Sequence, residues 1–162
     1  MTMPSQADIQ WHWLAFADFD IATLFDYLKL RQDVFIIEQN CVYPDLDDLD
    51  SPSWHLVGKN AQGKVVAALR LVPPGLKYAE PSIGRVVVAP IARQGGMGKR
   101  LVAEGLRQSA QIWPGLGNRI GAQAHLQRMY QSLGFEPVGE PYDEDGILHV
   151  DMLWSPHQAT AN

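Results

Sequence analysis

Residues 83–102 (IGRVVVAPIARQGGMGKRLV) restrict the possible folds more than any other stretch of the chain. A dense apolar run, Val86-Val87-Val88-Ala89, leads through Pro90 into a link that holds Arg93, Gly95, Gly96 and Gly98. Leu101, Val102, Leu106 and Ala110 then recur at helical spacing. The order predicts a strand buried on both faces, a glycine-rich turn and a helix. Such a turn points free backbone N–H groups at whatever lies before the helix. Its glycines remove side chains that would block an anion, and the helix dipole adds attraction. Lys99 and Arg100 bring formal charge to the same place. The stretch Arg93, Gln94, Gly95, Gly96, Met97, Gly98, Lys99, Arg100 therefore reads as a pyrophosphate-binding turn, with a plain tight turn the open alternative. A P-loop does not fit, since Arg93 stands where its first Gly belongs and Arg100 where Ser or Thr belongs. A dinucleotide fingerprint fails because Leu101 occupies the place of the third Gly.

The pattern Arg93-x-x-Gly96-x-Gly98 resembles the acetyl-coenzyme A signature of the GNAT family of N-acetyltransferases, and Tyr130-x-x-Leu133-Gly134-Phe135 resembles its second signature. Residues 31–39 (RQDVFIIEQ), 123–127 (QAHLQ) and 145–149 (DGILH) resemble the ElaA-like branch of that family. The resemblance spans nearly the whole chain. It implies an α/β fold with a mixed, largely antiparallel central sheet flanked by helices. Two parallel strands, at 86–89 and 120–124, splay apart there to admit the coenzyme thioester. It implies acetyl-coenzyme A as cosubstrate, with the turn on the pyrophosphate and the backbone of Val86, Val87 and Val88 beside the pantetheine arm and the thioester. It also implies direct transfer to a primary amine, with Tyr130 protonating the departing thiolate.

The length of 162 residues suits one domain, expected over 9–155 between a loose start at 1–8 and a tail at 156–162. No apolar run approaches a membrane span, and the start lacks the pattern of a secretory signal. Cys41 is the single cysteine, which fits a reducing, cytoplasmic setting. A net charge of -5 argues against nucleic acid as a partner.

Along the chain, strands are predicted at 9–13, 54–57, 65–72, 83–89, 137–142 and 148–154, and the family resemblance implies another at 118–124. Trp11 and Trp13 share one face of the first strand and read as core. Ile21, Leu24, Phe25 and Leu28 predict the buried face of a helix capped by Asp18 or Asp20, with a break near Arg31, Gln32 and Asp33. The helix after the glycine turn is expected to run to Ile112. A short one carrying Tyr130 is expected to end at Gly134.

Residues 38–50 hold Glu38, Asp45, Asp47, Asp48 and Asp50 without a basic residue. They read as a solvated loop or as a rim attracting a cationic amine acceptor. The loop lacks the Gly and terminal Glu of a calcium site, and the five histidines have no zinc spacing, so no metal is expected. Glu38, His125, His149 and Asp145 are the candidates for a general base. Gln39, Asp50, His55 and Arg70 are further polar residues that resemble the ElaA-like branch, and Arg70 is expected at the cleft, in a salt bridge to Glu38 or Asp50 or in contact with substrate. Arg85 interrupts an apolar strand and calls for an acidic partner or the sheet edge. Cys41 has no neighbour in sequence that would activate it as a nucleophile. A coenzyme-holding or protein-docking module without catalysis is the alternative reading, and an exposed sheet edge offers a route to a homodimer.

Overall fold

The computed structural model describes residues 9–156. The expectations for 1–8 and for the tail beyond Pro156 lie outside them. Seven strands form two antiparallel sheets. The first has the order β1 (Gln10–Ala15), β2 (Trp54–Lys59), β3 (Val65–Val72), β4 (Ser82–Val88). The second has the order β5 (Asn118–Gln123), β7 (Ile147–Trp154), β6 (Phe135–Glu144). No ladder joins β4 to β5 among the described residues. The two strands meet at their starts instead. The Ile83 N–H donates to Asn118 Oδ1 at 3.0 Å, and the Arg119 N–H to the Pro81 carbonyl at 3.0 Å.

One face of both sheets carries the main core. Leu56, Ala67, Leu69, Leu71 and Ile83 of the first sheet join Ile120, Ala122, Val150 and Met152 of the second. Helix α2 (Met97–Ile112) covers them with Met97, Leu101, Val102 and Leu106. Gly105 is the point of closest approach. A Cβ there would lie 2.9 Å from Leu69 Cδ2 and 3.2 Å from Ile83 Cδ1. Helix α3 (Gln127–Ser132) adds Tyr130, whose ring meets Phe135 edge-on at 5.6 Å. Gly134, with φ 102°, takes the left-handed conformation that ends this helix.

The other face of the first sheet is covered by helix α1 (Ile21–Arg31) and the π-helical segment Gln32–Glu38 that continues it. Asp20 is the cap, accepting the Thr23 N–H at 2.7 Å. The widened turns bond five residues apart, from Gln39 to Val34 and from Cys41 to Ile36. The predicted buried stripe of α1 is corrected here. Ile21 and Phe25 are 87% and 69% exposed, while Tyr27, Leu30 and Arg31 face the sheet with Val34 and Phe35. The physical reason is a buried polar network beneath the helix, which draws Tyr27 and Arg31 inward.

Candidate active site

The glycine-rich turn lies where β4 gives way to α2. Gly95 and Gly96 have φ of 74° and 77°, so two successive residues are left-handed. Gly96 is the N-cap of α2 and supplies no side-chain acceptor, which leaves the first helical N–H groups uncapped. A Cβ at Gly98 would meet nothing within 4 Å. Gly98 also lacks a positive φ, so neither packing nor backbone strain requires glycine there. The bare backbone leaves an open face beside uncapped N–H groups, which suits a phosphate group. Gln94 and Lys99 are exposed, and the Arg100 guanidinium lies 5.7 Å from the Trp11 ring. Met97 is 1% exposed, so only its backbone is available to a ligand.

Val87 is buried against α1, whereas Val86 and Val88 are half-buried beside the main core. Their backbone pairs with β3 on one side and has no ladder toward β5 on the other. A bulge opens β4 just before them. Arg85 is left-handed, with φ 47°, and the register with β3 shifts between Ala68 and Arg70.

The bulge delivers Arg85 to the acidic loop. Its Nε lies 2.9 Å from Asp45 Oδ1, and its Nη2 3.3 Å from Asp47 Oδ2. Arg31, wholly buried, pairs with Asp45 at 3.0 Å and with Asp50 at 2.8 Å. Arg70 pairs with Asp47 at 2.6 Å and with Asp50 at 3.1 Å. Burial alone would raise the Asp50 pKa, but hydrogen bonds from Arg31 and the Asp47 N–H outweigh it and hold it at about 2. Asp45, Asp47 and Asp50 of the loop are thus paired with arginines, and Asp47 and Asp48 are its exposed carboxylates. His55 lies under the same network. Its Nε2 donates to the Asp50 carbonyl at 2.9 Å, which leaves Nδ1 to accept the Tyr27 hydroxyl at 2.8 Å. Burial lowers its pKa, so it is a neutral structural histidine.

The remaining candidates separate. Glu38 forms a two-toothed ion pair with Arg93, which holds its carboxyl below the ordinary range. His125 is exposed in the 3-10 turn Ala124–Leu126. Asp145 sits at the exposed β6–β7 turn with φ 54°, and its carbonyl accepts the Cys41 thiol at 3.3 Å. His149 is buried on β7. Its Nδ1 donates to the Ile147 carbonyl at 2.7 Å, and its Nε2 lies 3.5 Å from Glu144 Oε2. Tyr130 is 5% exposed, and its hydroxyl has no hydrogen-bond partner among the described residues. Burial raises its pKa, so the phenol stays protonated.

Four polar residues near His149 escaped the sequence reading. The Tyr142 hydroxyl donates to Asp151 Oδ1 at 2.6 Å, and Arg119 Nη2 donates to Oδ2 at 3.0 Å. The Arg119 guanidinium lies 5.2 Å from the Tyr78 ring. The signal was alternation. Arg119 and Asp151 occupy the strand positions between core residues Ile120, Val150 and Met152, so they share the uncovered face. Among the described residues no group of three or more His, Cys, Asp or Glu side chains is arranged to hold a metal ion, and no helix is long and apolar enough to cross a membrane.

Residues 34–156 match the profile of the acetyltransferase (GNAT) domain. The chain is 42% identical over 147 residues to a UPF0039 protein of Synechocystis, covering 91% of this chain and 96% of that one. It is 40% identical over 154 residues to the protein ElaA of Escherichia coli, covering 93% and 99%. An acyl-CoA N-acyltransferase from Pseudomonas aeruginosa superposes with a TM-score of 0.85 at 36% identity, covering 91% of this chain and 99% of that one. The crystal structure of Escherichia coli ElaA superposes with a TM-score of 0.84 at 36% identity, with the same coverage. The chain belongs to the GNAT acetyltransferase family, among ElaA-like relatives, and is an acyltransferase that uses acetyl-coenzyme A.

Proposed function

We propose that the protein transfers the acetyl group of acetyl-coenzyme A to a primary amine by direct attack, in the gap between β4 and β5. The observation that carries this reading is the turn at 95–98. Two left-handed glycines, an uncapped helix start and an open face at Gly98 offer backbone donors to a pyrophosphate. The unladdered edge of β4 at Val86, Val87 and Val88 is the counterpart for the pantetheine amides and the thioester oxygen.

Within this reading His149 is the general base. Its Nδ1 proton is committed to the Ile147 carbonyl, so Nε2 takes the proton of the attacking amine. Glu144 stands near Nε2 to stabilise the imidazolium that forms. The C–N bond forms as the C–S bond breaks, and the electron pair leaves on sulfur. Tyr130, kept protonated by burial, donates its hydroxyl hydrogen to that sulfur. While Arg93 holds its carboxylate, Glu38 has a lowered proton affinity. The pairing of the acidic loop with Arg31, Arg70 and Arg85 removes its support for a cationic acceptor, so the proposal specifies an amine and not its charge.

The test is thiol release from acetyl-coenzyme A across a panel of primary amines, joined to a crystal structure with coenzyme A. The reading expects amine-dependent release and a pyrophosphate on the N–H groups at the start of α2. A coenzyme seated elsewhere, or release indifferent to every amine, would overturn it.

A further inference from the structure

Glu38 ends the π-helical segment, and Arg93 opens the glycine-rich turn 55 residues later. Their side chains meet as a fork, with Nη1 to Oε1 at 2.7 Å and Nη2 to Oε2 at 2.5 Å. The third donor, Arg93 Nε, reaches the Val88 carbonyl at 3.0 Å. The guanidinium is therefore pinned over the end of β4 and tied to the segment leading into the acidic loop. The fork has strong geometry, yet its side chains are 41% and 42% exposed, so water competes for both partners.

We propose that Glu38 is a positioning residue that acts through Arg93: it occupies the guanidinium until the coenzyme pyrophosphate takes it, and its release loosens the segment 36–42 for the acceptor. This rests on the coenzyme reading of the turn. A pyrophosphate carries more negative charge than one carboxylate, and the start of α2 attracts it as well. A guanidinium offered both ligands favours the more charged one, and Glu38 is repelled by it. The segment then loses its tie to β4, while its own N–H bonds from Gln39, Asn40 and Cys41 remain as reporters of local opening.

Calorimetry with acetyl-coenzyme A on the wild type, Glu38→Gln and Glu38→Asp tests the exchange, together with hydrogen exchange over 36–42 with and without coenzyme. Glu38→Gln is expected to bind about two- to fivefold more tightly, because no carboxylate competes. Glu38→Asp keeps the charge and returns toward the wild type. Coenzyme should speed exchange over 36–42 in the wild type, whereas Glu38→Gln should be fast from the outset and unresponsive. Equal or weaker binding by Glu38→Gln, an Asp variant that matches the Gln variant, or wild-type exchange that coenzyme leaves unchanged or slows would each overturn the proposal. A wild type that binds no coenzyme removes the coenzyme reading as well. A wild type that binds but matches Glu38→Gln removes only the role of Glu38.

Discussion

Replacing Asp50 by Asn tests the arginine–carboxylate network that holds the loop at 45–50. Asp50 is 7% exposed and accepts from both Arg31 and Arg70, at 2.8 Å and 3.1 Å, and from the Asp47 N–H at 3.0 Å. Its pKa falls from an ordinary 3.8 to about 2, which corresponds to about 2 kcal/mol of folding free energy. Deleting one partner of a buried pair costs about 3–5 kcal/mol, because the other charge is stranded. Arg31 and Arg70 keep Asp45 and Asp47, so the lower end, about 3 kcal/mol, is expected. For a chain of this length that lowers Tm by roughly 6–12 °C. Urea unfolding at pH 7 measures the loss directly. Because the folded pKa is depressed, the stabilisation is complete above the unfolded value of 3.8 and is lost as pH falls toward about 2. The wild type should therefore lose stability across that window, and the Asn variant should lack this part of the slope. A loss below about 1 kcal/mol, the size of a solvent-exposed pair, with an unchanged acid slope, would refute the reasoning.

Tyr130→Phe should lower kcat by about 100-fold and leave the coenzyme Kd nearly unchanged, as single-turnover kinetics and calorimetry would show. Equal kcat with chemistry rate-limiting would make Tyr130 a packing residue. His149→Gln should remove the acidic limb of the pH–rate profile, and a retained limb would assign the base elsewhere. Gly105→Ala should destabilise by about 1–3 kcal/mol through its clash with Leu69 and Ile83, read by urea unfolding, with coenzyme affinity preserved. Asp48→Asn should leave the Michaelis constant for a cationic amine unchanged, and a marked rise would restore charge steering by the loop.

Elements whose residues answer to one environment were legible in the sequence. β3 spans Val65–Val72, as its apolar run, interrupted at Arg70, predicts, and α2 spans Met97–Ile112 between its glycine turn and Pro114. Strands β6 and β7 run closer together than the predicted ends at 142 and 148, and the pair Asp145-Gly146, with φ of 54° and 81°, closes them as a two-residue hairpin. β6 begins at Phe135, earlier than its prolines suggest. It is an edge strand, bulged between Val138 and Tyr142, where Pro137 and Pro141 are tolerated. The face of α1 was misread because the buried surface is partly polar, and hydrophobic spacing cannot see Arg31 or His55 as interior. In the site, the glycine turn was legible because backbone geometry dictates residue type. The partners of the acidic loop were legible in part: Arg70 and Arg85, charges inside apolar strands, called for carboxylates and pair with Asp50 and Asp45, whereas Arg31 on a helix gave no such signal.

The central claim is that the turn at 95–98 holds the coenzyme pyrophosphate, and Gly98→Asp tests it most directly. Gly98 is the second residue of α2, where a carboxylate complements the helix dipole by about 0.3–1 kcal/mol, and its side chain would enter open space. Calorimetric titration with acetyl-coenzyme A should show one-to-one binding to the wild type and none to a Gly98→Asp protein of equal or higher thermal stability. Undiminished binding by that folded variant would contradict the placement of the coenzyme.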